Sequence, residues 1–563
     1  MPFGFEETHL WLDSLGATGP HATERDWLRV AYHRFRESAA LLAAEIPSDL
    51  RDYTVHDVTH LDALWDMADL IAGPSISLTP TEAFVLGGAF LIHDLGMGLA
   101  AWPGGIADLI AQPDWNDILA ATFRDIYGTS PTPEDLQDPP PDALRTAKEV
   151  ALREKHALHA ADLALISWTA QGSGERYQLI DDTDLRNTYG HLIGQLAASH
   201  WWSVDAMADK FSGPILGAPV TVPDAWTVDP LKLACLLRTS DAAHIDARRA
   251  PAFLRVIRRP GGGSDEHWAF QGHLQRPRRE DDRLVYTAST PFRLDEAPAW
   301  WLCFETLQMI DRELHGVDNL LAERSRDRFA ARNVKGADGP TRLSSLVPTV
   351  GWTPVDSRVV VSNVGLLVRM LGGKELYGDQ PHVALRELIQ NATDATLALH
   401  AALGVPPQPV DVALRQEEDV WWLDVADSGI GMSEAVMVGP LLDFGRSYWG
   451  SQLMRRETPG LAAGNFRSIG QYGIGFFSVF MLGDQVRVTT RRYDEASSAT
   501  RVLEFEQGLK SRPILRPATA SEQRHSGGTV ISVRLKTAPR DEGGLLTWRG
   551  TVSTPRCESC APG

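Results

Sequence analysis

Arg386-Glu-Leu-Ile-Gln-Asn-Ala-Thr-Asp394 is the stretch on which the reading of this chain turns. Its spacing predicts a helix, with Glu387, Asn391 and Asp394 at i, i+4 and i+7 and so on one face. Leu385, Leu388, Ile389 and Ala392 supply the apolar positions that pack the remainder onto a core. A carboxylate and an amide projected from a buried helix are costly unless something binds them. Taken alone, the pattern also fits a surface helix with a solvated polar stripe. Two motifs further along the chain decide against that.

Asp427-Ser-Gly429-Ile-Gly431-Met432 comes after Val420 to Ala426, whose bulky and β-branched residues predict a strand. Glycines let backbone approach a flat ligand, and Asp427 can accept a hydrogen bond from an exocyclic amine. Ser468-Ile-Gly470-Gln-Tyr-Gly473-Ile-Gly475 then runs into the apolar Phe-Phe-Ser, an arrangement suited to a polyphosphate at a helix N-terminus. A late strand begins at Gly527-Gly-Thr529-Val-Ile531, and no G-x-x-x-x-G-K-[ST] loop occurs.

In this order the motifs resemble the GHKL ATPase superfamily, most closely the N-terminal domain of heat-shock protein 90 chaperones, over residues about 355 to 540. The resemblance implies a Bergerat-type α/β sandwich that binds ATP with Mg2+. Glu387 would orient the attacking water and Asn391 would hold magnesium. Asp427 would read the adenine amine, with Thr529 assisting through water. Asp394, Gly429, Gly431 and Met432 would complete the nucleotide site, while Gly470, Gly473 and Gly475 would close over the phosphates. The chaperones continue into a middle domain that supplies a catalytic arginine, for which the 27 residues after Lys536 leave no room. Either the chain is truncated or its N-terminal half replaces those parts, and an unassisted site turns ATP over slowly.

The first half reads as mostly helical, broken at Gly73-Pro74, Pro103-Gly104 and Pro139 to Pro141. His and Asp recur at the ends of its apolar runs: His56-Asp-Val-Thr-His60, His93-Asp94 after Phe84 to Ile92, His156, His200, and Asp241 after Leu231 to Leu237. Repeated burial of such groups is expensive without a metal to share, and mixed imidazole and carboxylate ligands suit manganese, iron, zinc or nickel.

This half resembles the HD metal-dependent phosphohydrolase superfamily over roughly residues 20 to 325. The resemblance implies His60, His93, Asp94 and Asp241 as ligands, with His56 and Asp246 as alternatives to the first and last. Asp94, central to catalysis, would bridge to a second ion held by His156 and His200. Residues 253 to 292, with His267 to His273 and Arg283 to Ala288 as alternating runs, read as a small β-hairpin insertion.

The domain plan is therefore 1–325 HD-like, 326–350 linker centred on Asn333 to Pro340, 351–540 ATPase, and 541–563 irregular tail. At 563 residues, 43% hydrophobic and 23% charged, the chain has room for two full cores. A formal net charge of -19 disfavours indiscriminate attraction to nucleic acid or membrane. Four cysteines make no disulfide framework, and the Cys557/Cys560 pair lacks the second pair a structural zinc site needs. The start has no signal-peptide order, and a cytoplasmic setting is expected.

Three functions compete. In the first, ATP state gates metal-dependent cleavage of a phosphoester, a nucleotide among the candidates, as in fusions that resemble bacterial stress or defence proteins. In the second, a chaperone-like ATPase, acting on a protein client or as a homodimer, uses the HD-like half only to bind a partner. A sensor kinase is the third and ranks below both, since no dimerising helix with a phosphoacceptor histidine adjoins the ATPase motifs.

Overall fold

The computed structural model describes residues 4–170, 172–355, 381–443, 445, 447–464, 466–470, 475–508, 513–542 and 544–546. Gly473, Cys557, Cys560, most of the expected tail and the start of the expected ATPase span lie outside the described residues. The principal helices are α1 (Ala22–Asp49), α2 (Val58–Ala72), α3 (Pro80–Ile92), α4 (Trp115–Tyr127), α5 (Pro141–Leu163), α6 (Thr183–Ser199), α7 (Pro230–Ala243), α8 (Gly262–His273), α9 (Ala297–Glu323) and α10 (Pro381–Leu403). Two compact units form: residues 1–111 with 145–358, and residues 112–144 with 359–563.

The first unit is built around α3, in which every residue is buried. A helix apolar on all sides belongs at the centre of a bundle, and α1, α2, α6 and α7 pack around this one. Thr79 and Glu82 form a reciprocal capping box with Pro80 at the first helical position, which fixes where α3 starts. On α6, a Cβ at Gly194 would fall 1.9 Å from the Ala161 carbonyl oxygen of α5. Only glycine permits that crossing, which sets the C-terminal halves of the two helices side by side.

Two expectations are corrected in this unit. His267 to His273 lies in α8, not in a hairpin: Trp268, Ala269, Phe270 and Gln271 are buried in succession, which a two-faced strand cannot arrange. The hairpin is confined to β3 (Arg278–Glu280) and β4 (Arg283–Val285), after a separate two-stranded pair, β1 (Ser167–Thr169) and β2 (Arg176–Gln178). The stretch expected as a linker is also structured. Asn333–Val334 (β5) pairs parallel with β4, Leu284 opposite Val334, and Val334, Ala337, Leu343 and Val347 are buried. Its glycines serve a turn, with Gly336 at φ 86, and do not separate domains.

The second unit is the expected α/β sandwich. Its sheet has six strands in the order β10-β9-β8-β11-β7-β6, every pair antiparallel. They are β6 (Asp411–Glu417), β7 (Val420–Ala426), β8 (Val486–Arg491), β9 (Arg501–Phe505), β10 (Ile514–Pro517) and β11 (Gly528–Arg534). Ala384, Leu388 and Ala392 of α10 share a core with Leu423, Val425, Val488, Leu503 and Val533 of the sheet. That packing turns the opposite side of α10, with Glu387 and Asn391, toward a cavity. The sequence does not suggest that residues 112–144, inside the HD-like span, belong to this unit.

Candidate functional sites, one in each unit

In the helical unit, His60 comes from the first turn of α2, and His93-Asp94 follow the last turn of α3. His156 lies on α5, His200 just beyond α6, and Asp241 on α7. His93 Nε2 is 3.3 Å from Asp94 Oδ2 and 3.5 Å from Asp241 Oδ1, and His60 Nε2 is 3.6 and 3.7 Å from the same two oxygens. Asp94 Oδ1 faces the other way, 3.5 Å from His156 Nε2 and 3.9 Å from His200 Nε2. Two ligand groups of metal-site dimensions thus share one carboxylate.

The Nδ1 atoms of His93, His156 and His200 lie 2.9, 2.7 and 2.5 Å from the carbonyl oxygens of Phe90, Arg153 and Ala197. An N–H donated there leaves each Nε2 lone pair aimed at the centre, the tautomer a metal requires. Among the described residues His60 Nε2 and His93 Nε2 are buried and without hydrogen-bond partners, so the residues present fit a divalent cation. Burial drags the His60 and His156 imidazoles down to about 4. It pulls on His93 too, but the Asp94 and Asp241 carboxylates outweigh it and hold that ring at about 10. The two carboxylates thus favour positive charge at the centre of the cluster, which a divalent cation would supply.

The alternatives open in the sequence separate here. His56 donates from Nδ1 to Thr54 O at 2.6 Å, and its Nε2 takes an N–H from Arg249 at 2.5 Å, while His60 stands in the cluster. Asp246 is held by Arg248 at 2.6 Å, while Asp241 stands in the cluster. Sequence reading missed His244, whose ring stacks on His60 with the two Nδ1 atoms 2.8 Å apart, and Arg249. His244 follows Asp241 by three residues at the end of the same helix, a signal that was available. A cavity of about 840 Å³ opens onto Asp94, His156, His200 and Asp241, with Arg153, Arg249 and Gln271 on its walls.

In the sandwich unit, a cavity of about 450 Å³ is lined by Glu387, Asn391, Asp427, Gly431, Met432, Gly470, Gly475 and Thr529, with Tyr448 and Trp449. Asp427 is 6% exposed, and its Oδ1 accepts from Gly429 N at 2.8 Å and Thr529 N at 3.2 Å. Oδ2 remains as the oxygen that can accept from a ligand. Burial pushes this carboxyl up to about 6 against the pull of those N–H groups and of Arg524. Thr529 Oγ1 lies 2.9 Å from Thr490 Oγ1, which accepts from Met432 N at 3.0 Å, tying β11 and β8 to the loop after Asp427.

Gly475 presses on Glu387, since a Cβ there would come 2.8 Å from Oε2. Gly429 backs onto α10, where a Cβ would fall 2.4 Å from the Ala395 carbonyl carbon. Asp394, expected beside these groups, is fully buried outside the cavity lining. Its oxygens accept from Ile469 N at 2.9 and 3.0 Å and Gly470 N at 2.9 Å, so it anchors the glycine loop from behind.

Comparison with known proteins divides the chain between residues 316 and 379. Residues 50–316 match the HD-CE family model, and residues 379–529 match that of the histidine kinase-, DNA gyrase B- and HSP90-like ATPases. The mitochondrial heat shock protein 75 kDa of Bos taurus is 33% identical over 171 residues, 30% of this chain and 23% of that protein. The chaperone protein HtpG of Oleidesulfovibrio alaskensis is 34% identical over 160 residues, covering 27% and 24%, and that of Nocardia farcinica 36% over 167, covering 28% and 24%. The chain thus spans about a quarter of the length of these relatives. Among the described residues no helix is long and apolar enough to cross a membrane. The chain carries an HD-CE domain over residues 50–316 followed by an HSP90-like ATPase domain over residues 379–529.

Proposed function

We propose that the sandwich unit binds ATP with Mg2+ and hydrolyses it slowly, and that the helical unit is a metal-dependent phosphohydrolase whose activity follows the nucleotide state. Asp94 carries the second part of this reading. One carboxylate with each oxygen turned to a separate His group is the arrangement of a two-metal site.

His60, His93, Asp94 and Asp241 would hold one divalent ion, and Asp94, His156 and His200 a second. Such ions polarise a phosphoryl oxygen and acidify a water at neutral pH. The protein's own part is to position the substrate. Arg249 and Arg153, on the walls of the cavity, offset phosphoester charge, and the 840 Å³ of space admits a nucleotide-sized molecule. In the second unit Asp427 Oδ2 would take the adenine amine, Asn391 would hold magnesium, and Glu387 would align water against the terminal phosphate. Bacterial stress or defence as the setting rests on the resemblance alone.

The deciding experiment is metal analysis of the purified protein together with a phosphoester screen, with and without ATP. Metal at about one or two ions per chain and ATP-dependent phosphate release are the expected results. Metal-free protein that still binds ATP would favour the other reading, a chaperone-like ATPase with a partner-binding HD-CE domain, which the chaperone relatives support.

A further inference from the structure

Asp117 takes part in neither set of motifs, yet it is fully buried in the first turn of α4. A buried carboxylate is retained only where something compensates it. Here the partners are backbone N–H groups from the ATPase half of the chain: Gly460 N to Oδ2 and Ala463 N to Oδ1, each at 2.6 Å. Arg124, two helical turns on and on the same face, donates to Ala462 O at 3.4 Å. One side chain from α4 therefore holds two N–H groups of the turn 460–463, and another holds its carbonyl.

That turn is continuous with the wall of the nucleotide cavity. Leu461 is buried in a small core with Ala398 of α10, Ile430 and Met454, against which Tyr448, Trp449 and Phe466 pack. Trp449 and Phe466 rings lie 4.9 Å apart, and Ile469 and Gly470 are tied to Asp394. Tyr448, Trp449, Ile469 and Gly470 all line the cavity. The wall is thus anchored at two places, by Asp394 from α10 and by Asp117 from a segment that precedes the ATPase motifs by more than two hundred residues in the chain.

The geometry points to Asp117 as a positioning residue of the ATP site, holding the turn 460–463 and through it the aromatic wall against which the nucleotide binds. This rests on the proposed binding of ATP in the sandwich unit. Residues 112–144 lie within the HD-CE span yet belong to the same compact unit as the ATPase sheet, so the clasp is complete within that unit. Burial raises the Asp117 carboxyl above its usual range, and the Ala463 and Gly460 N–H groups pull it part of the way back.

The test uses the full chain with Asp117→Ala and Asp117→Asn. A charged acceptor of two N–H groups is lost in the first, whereas the amide retains one acceptor oxygen in the second. Amide exchange of Gly460 and Ala463 in nucleotide-free protein should accelerate about tenfold or more in Asp117→Ala and by less in Asp117→Asn. KM for ATP should rise about tenfold with kcat within twofold, because Glu387 and Asn391 remain on α10. Arg124→Met, which leaves the carboxylate in place, supplies a milder loosening in the same direction should Asp117→Ala fail to fold. Parental exchange and parental KM in the Asp117 variants would overturn the proposal. If the parent shows no ATP binding, it is the ATP reading that fails, and the exchange experiment still decides whether the clasp exists.

Discussion

Asp427→Asn should weaken ATP binding and strengthen the fold, two effects of opposite sign from one atom change. The parent Oδ1 accepts from Gly429 N and Thr529 N, and Oδ2 is the oxygen that the proposed ATP reading gives to the adenine amine. If the asparagine oxygen keeps the two backbone donors, its NH2 meets the adenine amine donor to donor. If it flips, the two backbone N–H groups lose their acceptor. Either way a charge-assisted bond of about 1.5–3 kcal/mol is lost and a donor is stranded at about 1–3 kcal/mol, so a loss of about 3 kcal/mol, roughly 150-fold in Kd, is a conservative expectation. Stability moves the other way. The folded-state pKa, about 6, lies above the usual 3.8, so the carboxyl favours the fold only while protonated. That contribution is full below the unfolded-state pKa and is lost as pH rises through about 6, leaving a penalty of up to about 3 kcal/mol at neutral pH. The variant should therefore unfold at higher denaturant than the parent at pH 8, with the difference vanishing by pH 4. Parental ATP affinity should fall about tenfold per pH unit below pH 6, as the acceptor is protonated. Calorimetric titration with ATP and urea melts at both pH values measure all of this. A variant that binds ATP like the parent, or is less stable at pH 8, refutes the assignment.

Glu387→Ala should keep its ATP Kd within threefold while turnover falls about 100-fold or more, read by phosphate release beside equilibrium binding. Gly475→Ala should lower turnover with little change in melting, because its Cβ meets only the flexible end of Glu387, 2.8 Å from Oε2. Gly431→Ala should instead destabilise by about 2 kcal/mol or more in urea melts, since its Cβ would fall 1.9 Å from the Arg491 carbonyl oxygen at φ 65. His93→Ala should remove metal from the purified protein, and His244→Ala should lower metal affinity about 10- to 100-fold through the lost support of His60, both with ATP binding intact by titration. Should ATP state and the HD-CE site be coupled, a phosphoester analogue bound there must change ATP affinity in Glu387→Ala by the factor by which ATP changes analogue affinity; equal affinities with and without the analogue would mean two tethered domains.

The α10 stripe and the strand before Asp427 were legible because each couples a period to a residue type with a chemical reason to be there. The residues of the His and Asp clusters were noticed one by one as His or Asp closing an apolar run, although sequence could not say that Asp94 faces both ways. That depends on the α5–α6 crossing at Gly194, a contact between residues 33 apart in the chain (194 − 161). Trp268 to Gln271 misled because alternating bulk and polarity suggested two faces, whereas both lie inside the bundle. The linker misled because Gly336 and Gly339 serve a turn between packed residues as readily as a tether. Nothing in residues 112–144 announces that they fold with the sheet: the partners of Asp117 are backbone amides, and backbone amides have no sequence signature.

Three aspartates of the sandwich unit show why side-chain type alone cannot assign a ligand role. Asp394, Asp427 and Asp117 are each buried and each accept backbone N–H groups. Asp394 spends both oxygens on Ile469 and Gly470, and Asp117 spends both on Gly460 and Ala463. Among the described residues Asp427 engages Oδ1 alone, on Gly429 and Thr529. A carboxylate with both oxygens engaged by the chain positions a loop, and one with an oxygen to spare can take a ligand. Sequence reading placed Asp394 beside Asp427 because the two stand at motif positions of equal prominence, and it passed over Asp117 because no motif surrounds it. Counting the oxygens left over reverses both judgments: Asp394 and Asp117 become the two anchors of one wall, and Asp427 the acid that faces what the wall encloses.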